Sequence, residues 1–134
     1  MLQLTVLASG SSGNSLLVRG ESTAVLVDAG ISARQLETQI LALGITPQNL
    51  AGILLTHEHG DHIKGLGTLA EKTGTRIYAN RFTHEAIRRE FSSARLDTAT
   101  FETGATFTLG DVEVRTFSVP HDAADPVGFL LATP

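Results

Sequence analysis

Three of the chain's five histidines and one aspartate fall within six residues, His57-Glu58-His59-Gly60-Asp61-His62, directly after the apolar run Ile53-Leu54-Leu55 and Thr56. Imidazole nitrogens and carboxylate oxygens at this density suit a divalent cation, Zn²⁺ foremost, with Mn²⁺ or Fe²⁺ as alternatives. The spacing restricts the geometry. His57 and His59 are two apart, which puts both rings on one side of an extended backbone and not on one face of a helix. Helix-borne zinc sites, whose histidines are four apart, are therefore excluded. Gly60 also argues against a helix at this point. Asp61 and His62 follow as the chain turns away, so they need not face the same ion. Two adjacent cations sharing one loop is the natural geometric reading.

The elements that must position these donors are legible on either side. Leu2–Ala8, Ser15–Arg19 and Ala24–Val27 read as strands, the first two joined by the turn-rich loop Ser9-Gly10-Ser11-Ser12-Gly13-Asn14 and the last two by a turn at Gly20–Thr23. Ser32 and Gln35 form a capping box, with Ile31 and Leu36 as a hydrophobic staple, opening a helix that carries Leu36, Ile40 and Leu43 on one face and stops at Gly44. Gly52–Thr56 reads as a buried strand. A second helix is expected from about Ile63 to Lys72, a strand at Arg76–Ala79, and a third helix at Phe82–Phe91 capped by Asn80. Gly110-Asp111 is a hairpin turn between Ala105–Leu109 and Val112–Val119, and Gly128–Ala132 reads as a last strand. The class is α/β (α+β), in one domain spanning 1–134.

Composition narrows the function further. With 134 residues, 42% apolar and 18% charged, the chain can bury a core. The absence of cysteine excludes disulfides, thiolate metal sites and a cysteine nucleophile. No apolar run approaches the ~20 residues of a membrane span, and a cytoplasmic protein is the default expectation. The net charge of −4 hides a basic stretch from Lys72 to Arg95, six cations against Glu85 and Glu90. Arg88 and Arg89 in it fit a phosphate track as well as a solvated helix face. Ser11 and Ser12 lack a nucleophile-elbow context and read as loop residues. His84 reads as a surface histidine and Asp125, before Pro126, as a turn residue.

The block His57-x-His59-x-Asp61-His62 after an apolar strand, continued by Gly65-Leu66, resembles the signature of the metallo-β-lactamase-fold metallohydrolases. Asp28 at the end of Ala24–Val27 is similar to that family's first motif, and His121 in Ser118-Val119-Pro120-His121-Asp122 to its third. The segments Ala8–Ser15 and Pro120–Phe129 resemble the YycJ/WalJ/VicX group, whose members are described as DNA exonucleases.

The resemblance implies the N-terminal half of an αββα sandwich, cut after the third metal motif, with a mixed sheet and flanking helices. It implies a hydrolase of phosphodiester DNA acting through a metal-activated hydroxide. Thioester, lactone or β-lactam hydrolysis, and a non-catalytic metal-binding half that self-assembles as a homo-oligomer, are the alternatives. Carried over by residue, His57, His59 and His121 would bind a first metal and Asp61 and His62 a second, up to two per complete site, with Asp61 also orienting the attacking hydroxide. Asp28 would hydrogen-bond a ligand histidine. Asp122 directly follows a ligand candidate, and three readings stay open for it: orienting His121, orienting a substrate, or facing solvent. Ser11, Ser12 and Asn14 would lie near the site as substrate-binding residues, their loop offering backbone N–H groups to an anion. Three first-site ligands against two predict one metal held more tightly than the other, and little or no activity from this chain alone.

Overall fold

The computed structural model describes residues 1–120 and 125–134. Strands β1 (Gln3–Ala8), β2 (Ser15–Arg19) and β3 (Ala24–Val27) form an antiparallel meander, after which β4 (Gly52–Leu54), β5 (Ile77–Ala79) and β6 (Thr98–Thr100) continue the same sheet in parallel, in the order β1-β2-β3-β4-β5-β6. Helices α1 (Ala33–Ala42), α3 (Leu66–Thr73) and α4 (Arg81–Glu90) supply the crossovers, with a one-turn helix α2 (Gly60–Ile63) ahead of α3. Strands β7 (Thr106–Leu109), β8 (Val112–Ser118) and β9 (Val127–Ala132) make a separate antiparallel sheet.

Side-chain alternation along the strands builds two cores. Leu17, Leu26 and Ile53 point to one face and pack with Leu36 and Ile40 of α1, Leu66 of α3 and Ile87 of α4. Their neighbours Val18, Val25 and Leu54 point to the other face and meet Val112 and Val114 of the second sheet. The layers thus run helices, mixed sheet, antiparallel sheet. Leu4 and Val6 of β1 pair across from Val18 and Leu16 and so share the inter-sheet face, yet both stay exposed beyond the reach of the three-stranded sheet.

Local signals were accurate where they were strong. The capping box of Ser32 and Gln35 forms, and Asn80 accepts from the Thr83 N–H. The expected helix from Ile63 to Lys72 is instead α2 and α3, broken at Gly65. Tertiary hydrogen bonds cause the break. The Gly65 N–H donates to the Ala29 carbonyl and the Ala29 N–H to the His62 carbonyl, both at 2.8 Å. A Cβ at Gly65 would overlap the Ile31 carbonyl oxygen, so the α1 entry and this turn touch backbone to backbone. The helix that Gly60 was expected to prevent does begin there, but it lasts four residues. β6 carried no sequence signal, being three residues of Thr-Ala-Thr.

Candidate metal centre

β3 and β4 run parallel, so Asp28 and Thr56 emerge from the same, carboxyl, end of the sheet, the usual place for a ligand site in such sheets. Asp28 sits at φ 61°, the left-handed region that aspartate tolerates better than most residues. Its main chain is held on both sides: the N–H donates to Leu54 O at 2.8 Å and the carbonyl accepts from Ser15 Oγ at 2.8 Å. The carboxylate is thereby turned inward and is buried.

Asp28 Oδ1 accepts from the Thr56 N–H at 2.9 Å, and Oδ2 from Thr56 Oγ1 at 2.7 Å and His62 Nδ1 at 2.6 Å. Thr56 Oγ1 also lies 2.8 Å from His57 Nδ1. These contacts dictate where the protons are. A carboxylate only accepts, so Thr56 spends its one hydrogen on Asp28 and must accept from His57 Nδ1–H. His62 Nδ1 likewise carries its proton toward Asp28. In both neutral rings the lone pair then resides on Nε2, the form in which a histidine ligates a metal. Thr56 was missed by sequence reading. Its only signal is a hydroxyl placed directly before the first histidine.

The rings gather closely. The His57 centroid lies 4.8 Å from that of His59 and 3.9 Å from that of His62. His62 Nε2 and Asp61 Oδ2 are 3.6 Å apart, too long for a hydrogen bond and a fitting separation for two ligands of one cation. Burial, the largest single influence on His62, works against its charged form. The hydrogen bond to Asp28 and the charges of Asp28 and Asp61 together outweigh it and raise its pKa above the usual value. Asp28 and Asp61 therefore favour positive charge beside them, and the donor set fits a divalent cation. Among the described residues no three donors close around one point, however. His121 and Asp122, expected to complete the first site and its surroundings, lie outside the described residues. Their flanks are tied to the site: Val127 N–H donates to Thr56 O at 2.9 Å, and Val119 N–H to Pro126 O at 3.3 Å.

Of the other expected residues, Asn14 reaches the centre through Asp61, whereas Ser11 and Ser12 are exposed in the turn beside it. Arg88 and Arg89 are exposed in the last turn of α4. α4 starts at the carboxyl end of β5 and runs back along the sheet, which carries both arginines away from the histidines. Asp125 does more than turn the chain: its carbonyl accepts from Asn80 Nδ2 at 2.7 Å and its Oδ2 from Thr103 Oγ1 at 3.1 Å. His84, expected on the surface, is buried at 1% exposure. It lies on the inner face of α4, and Nε2 donates to Ala99 O of β6 at 2.7 Å.

Residues 23–134 match the family model of the beta-lactamase superfamily domain, and the chain belongs to that family. It is 41% identical over 125 residues to exodeoxyribonuclease WalJ of Streptococcus pneumoniae, covering 91% of this chain and 46% of the relative. It is 43% identical over 127 residues to exodeoxyribonuclease YycJ of Bacillus anthracis, covering 94% and 48%. The chain thus spans about half the length of these curated relatives. The fold is shared with the class B3 di-zinc metallo-β-lactamase LRA-12 from an Alaskan soil metagenome, with a TM-score of 0.77 at 20% identity over 91% of this chain and 53% of that one. Among the described residues no helix is long and apolar enough to cross a membrane.

Proposed function

We propose that this domain carries metal ligands of a hydrolase that cuts phosphodiester bonds in DNA. The observation that supports the metal part is the proton arrangement: Asp28 and Thr56 hold His62 and His57 by Nδ1, which puts the lone pair of each neutral ring on Nε2, the atom that can ligate. His57, His59 and His121 are the first ligand set and Asp61 and His62 the second, with Zn²⁺ the expected ion and Mn²⁺ or Fe²⁺ its alternatives. Bound there, the cation would supply Lewis acidity toward a phosphoryl oxygen and activate water at neutral pH. The chain's own contribution is to orient. Asp28 fixes His62 and, through Thr56, His57; Asp61 would align an attacking water, and Asp122 would orient His121 or substrate. DNA as substrate is supported by the exodeoxyribonuclease relatives.

End-labelled linear DNA incubated with the Zn²⁺- or Mn²⁺-loaded chain tests the reading. Slow release of nucleotides is expected, abolished by chelation and reduced at least about 100-fold by H57A, since a ligand is lost. Release that neither chelation nor H57A affects overturns it. Turnover of a thioester, lactone or β-lactam with DNA left intact would assign the domain to another hydrolytic branch of the family.

A further inference from the structure

We propose that Asn14 is a positioning residue for the Asp61 carboxylate, so that the Ser9–Asn14 loop builds the second half of the metal centre from beneath and does not offer this amide to a substrate. The inference rests on the metal-binding reading of the His57–His62 segment.

Asn14 uses both ends of its side chain. Oδ1 accepts from the Gly10 N–H at 3.1 Å, and Nδ2 donates to Gly10 O at 2.8 Å, which closes the loop on itself. The same Nδ2 donates to Asp61 Oδ2 at 3.0 Å and lies 3.3 Å from Asp61 O. The main chain repeats the attachment: Asn14 N–H donates to Asp61 O at 2.7 Å, and Gly30 N–H to Asn14 O at 2.9 Å. Gly30 has no room for a side chain, because a Cβ would overlap the Asp61 carbonyl oxygen. Three segments far apart in sequence are thus stacked backbone on backbone beneath one carboxylate.

That carboxylate needs holding. Asp61 is on the single turn of α2, and its side chain is 33% exposed, so on its own it is free to rotate into water. Among the described residues, Asn14 is the only hydrogen-bond donor to it. The oxygen that Asn14 grips, Oδ2, is the one 3.6 Å from His62 Nε2. The grip therefore selects the rotamer in which Asp61 and His62 present their donors together. Chemistry explains the residue type. The position needs an acceptor toward the Gly10 N–H and a donor toward a carboxylate at one short reach, which asparagine has. Aspartate keeps the shape but sets an acceptor against Asp61, and serine is too short to span both.

Cobalt titration followed by visible absorbance, without DNA, tests this on the wild-type chain, H62A, N14A and N14D, with thermal melts in parallel. The expected result is that N14A and N14D weaken, by about 10–100-fold, the cobalt equivalent that H62A removes, and leave the tighter equivalent in place. N14D retains the Gly10 N–H bond but, like N14A, loses the donor to Gly10 O, so the parallel melts are what separate lost positioning from collapse of the loop. Titrations of both variants that superimpose on wild type overturn the role of Asn14. So does parallel weakening of both equivalents with a lowered melting temperature, because Asn14 would then serve the loop's folding alone. An unchanged curve for H62A overturns it too. A wild-type chain without cobalt bands overturns the metal reading itself, and failure to cleave DNA leaves this titration untouched.

Discussion

His62 and His84 are the same side chain held in opposite ways. His62, at the end of the parallel strands, donates Nδ1–H to a buried carboxylate and has a second one, Asp61, nearby. His84, on the inner face of α4, donates Nε2–H to a peptide carbonyl and has Arg88 one turn on. Burial lowers the pKa of His84, the Ala99 carbonyl pulls the other way without compensating, and Arg88 lowers it further. For His62 the carboxylates overcome the same penalty and raise its pKa. Burial alone does not set a histidine's task. A partner with full negative charge makes a site that attracts a cation, whereas a partner with only a dipole makes a neutral latch between a helix and an edge strand.

The contrast between the two histidines depends most on Asp28. D28A strips the partner from His62 and from Thr56, leaves their half-buried donors unpaired, and puts alanine at positive φ. A loss of about 3 kcal/mol or more in chelator-treated protein is expected from the unsatisfied groups and the backbone penalty together. D28N, which tolerates the backbone, should retain more stability while zinc affinity, read by competition with a chromophoric chelator, still falls about 10–100-fold. Equal zinc affinity in D28N and wild type would remove Asp28 from the centre.

Thr56 offers a finer cut. T56V keeps the shape and removes the hydroxyl that ties His57 to Asp28, so zinc affinity should fall about tenfold, and T56S should restore it. Failure of T56S to rescue would point to packing of the Thr56 methyl group.

The two histidines should also give opposite signs in urea unfolding of the metal-free chain between pH 5 and 8. His84 has a folded pKa below its unfolded value near 6.5, so the stability it contributes is present above that value and is lost as pH falls toward the lowered one. H84Q should therefore flatten the acid-side loss. His62 has a raised pKa, so its contribution is present below about pH 6.5 and is lost as pH rises through the raised value. H62Q should steepen the acid-side loss. The same sign for both variants would contradict the comparison.

The smallest effect belongs to the exposed end of α4. R88Q/R89Q should lower the salt dependence of DNA binding by at most about two phosphate contacts. An unchanged slope excludes this helix from the path of DNA.

Legibility followed the range of the interactions. The capping of α1 by Ser32 and Gln35 and of α4 by Asn80 was readable because each cap lies within three residues of its partner. The run of one expected helix across Gly65 failed because the bonds that break it come from Ala29, on another element. His84 looked exposed because α4 is polar on average; its inward face shows only once β6 is in place, and β6 itself has too few residues to announce itself.

The alphabet of the site is a local property of the chain: four donors in six residues at the end of a buried strand, between elements whose apolar periods are equally local. Which distant groups act on those donors is set by the packing of the whole fold. Asp28 meets His62 across 34 positions and Asn14 meets Asp61 across 47. Those pairings depend on the parallel register of β3 against β4 and on the close backbone approach at Gly30, and neither is written in any short stretch of residues. Strand register is chosen by burying two hydrophobic faces at once, so the hydrogen bonds that orient the histidines are consequences of the cores on either side of the sheet.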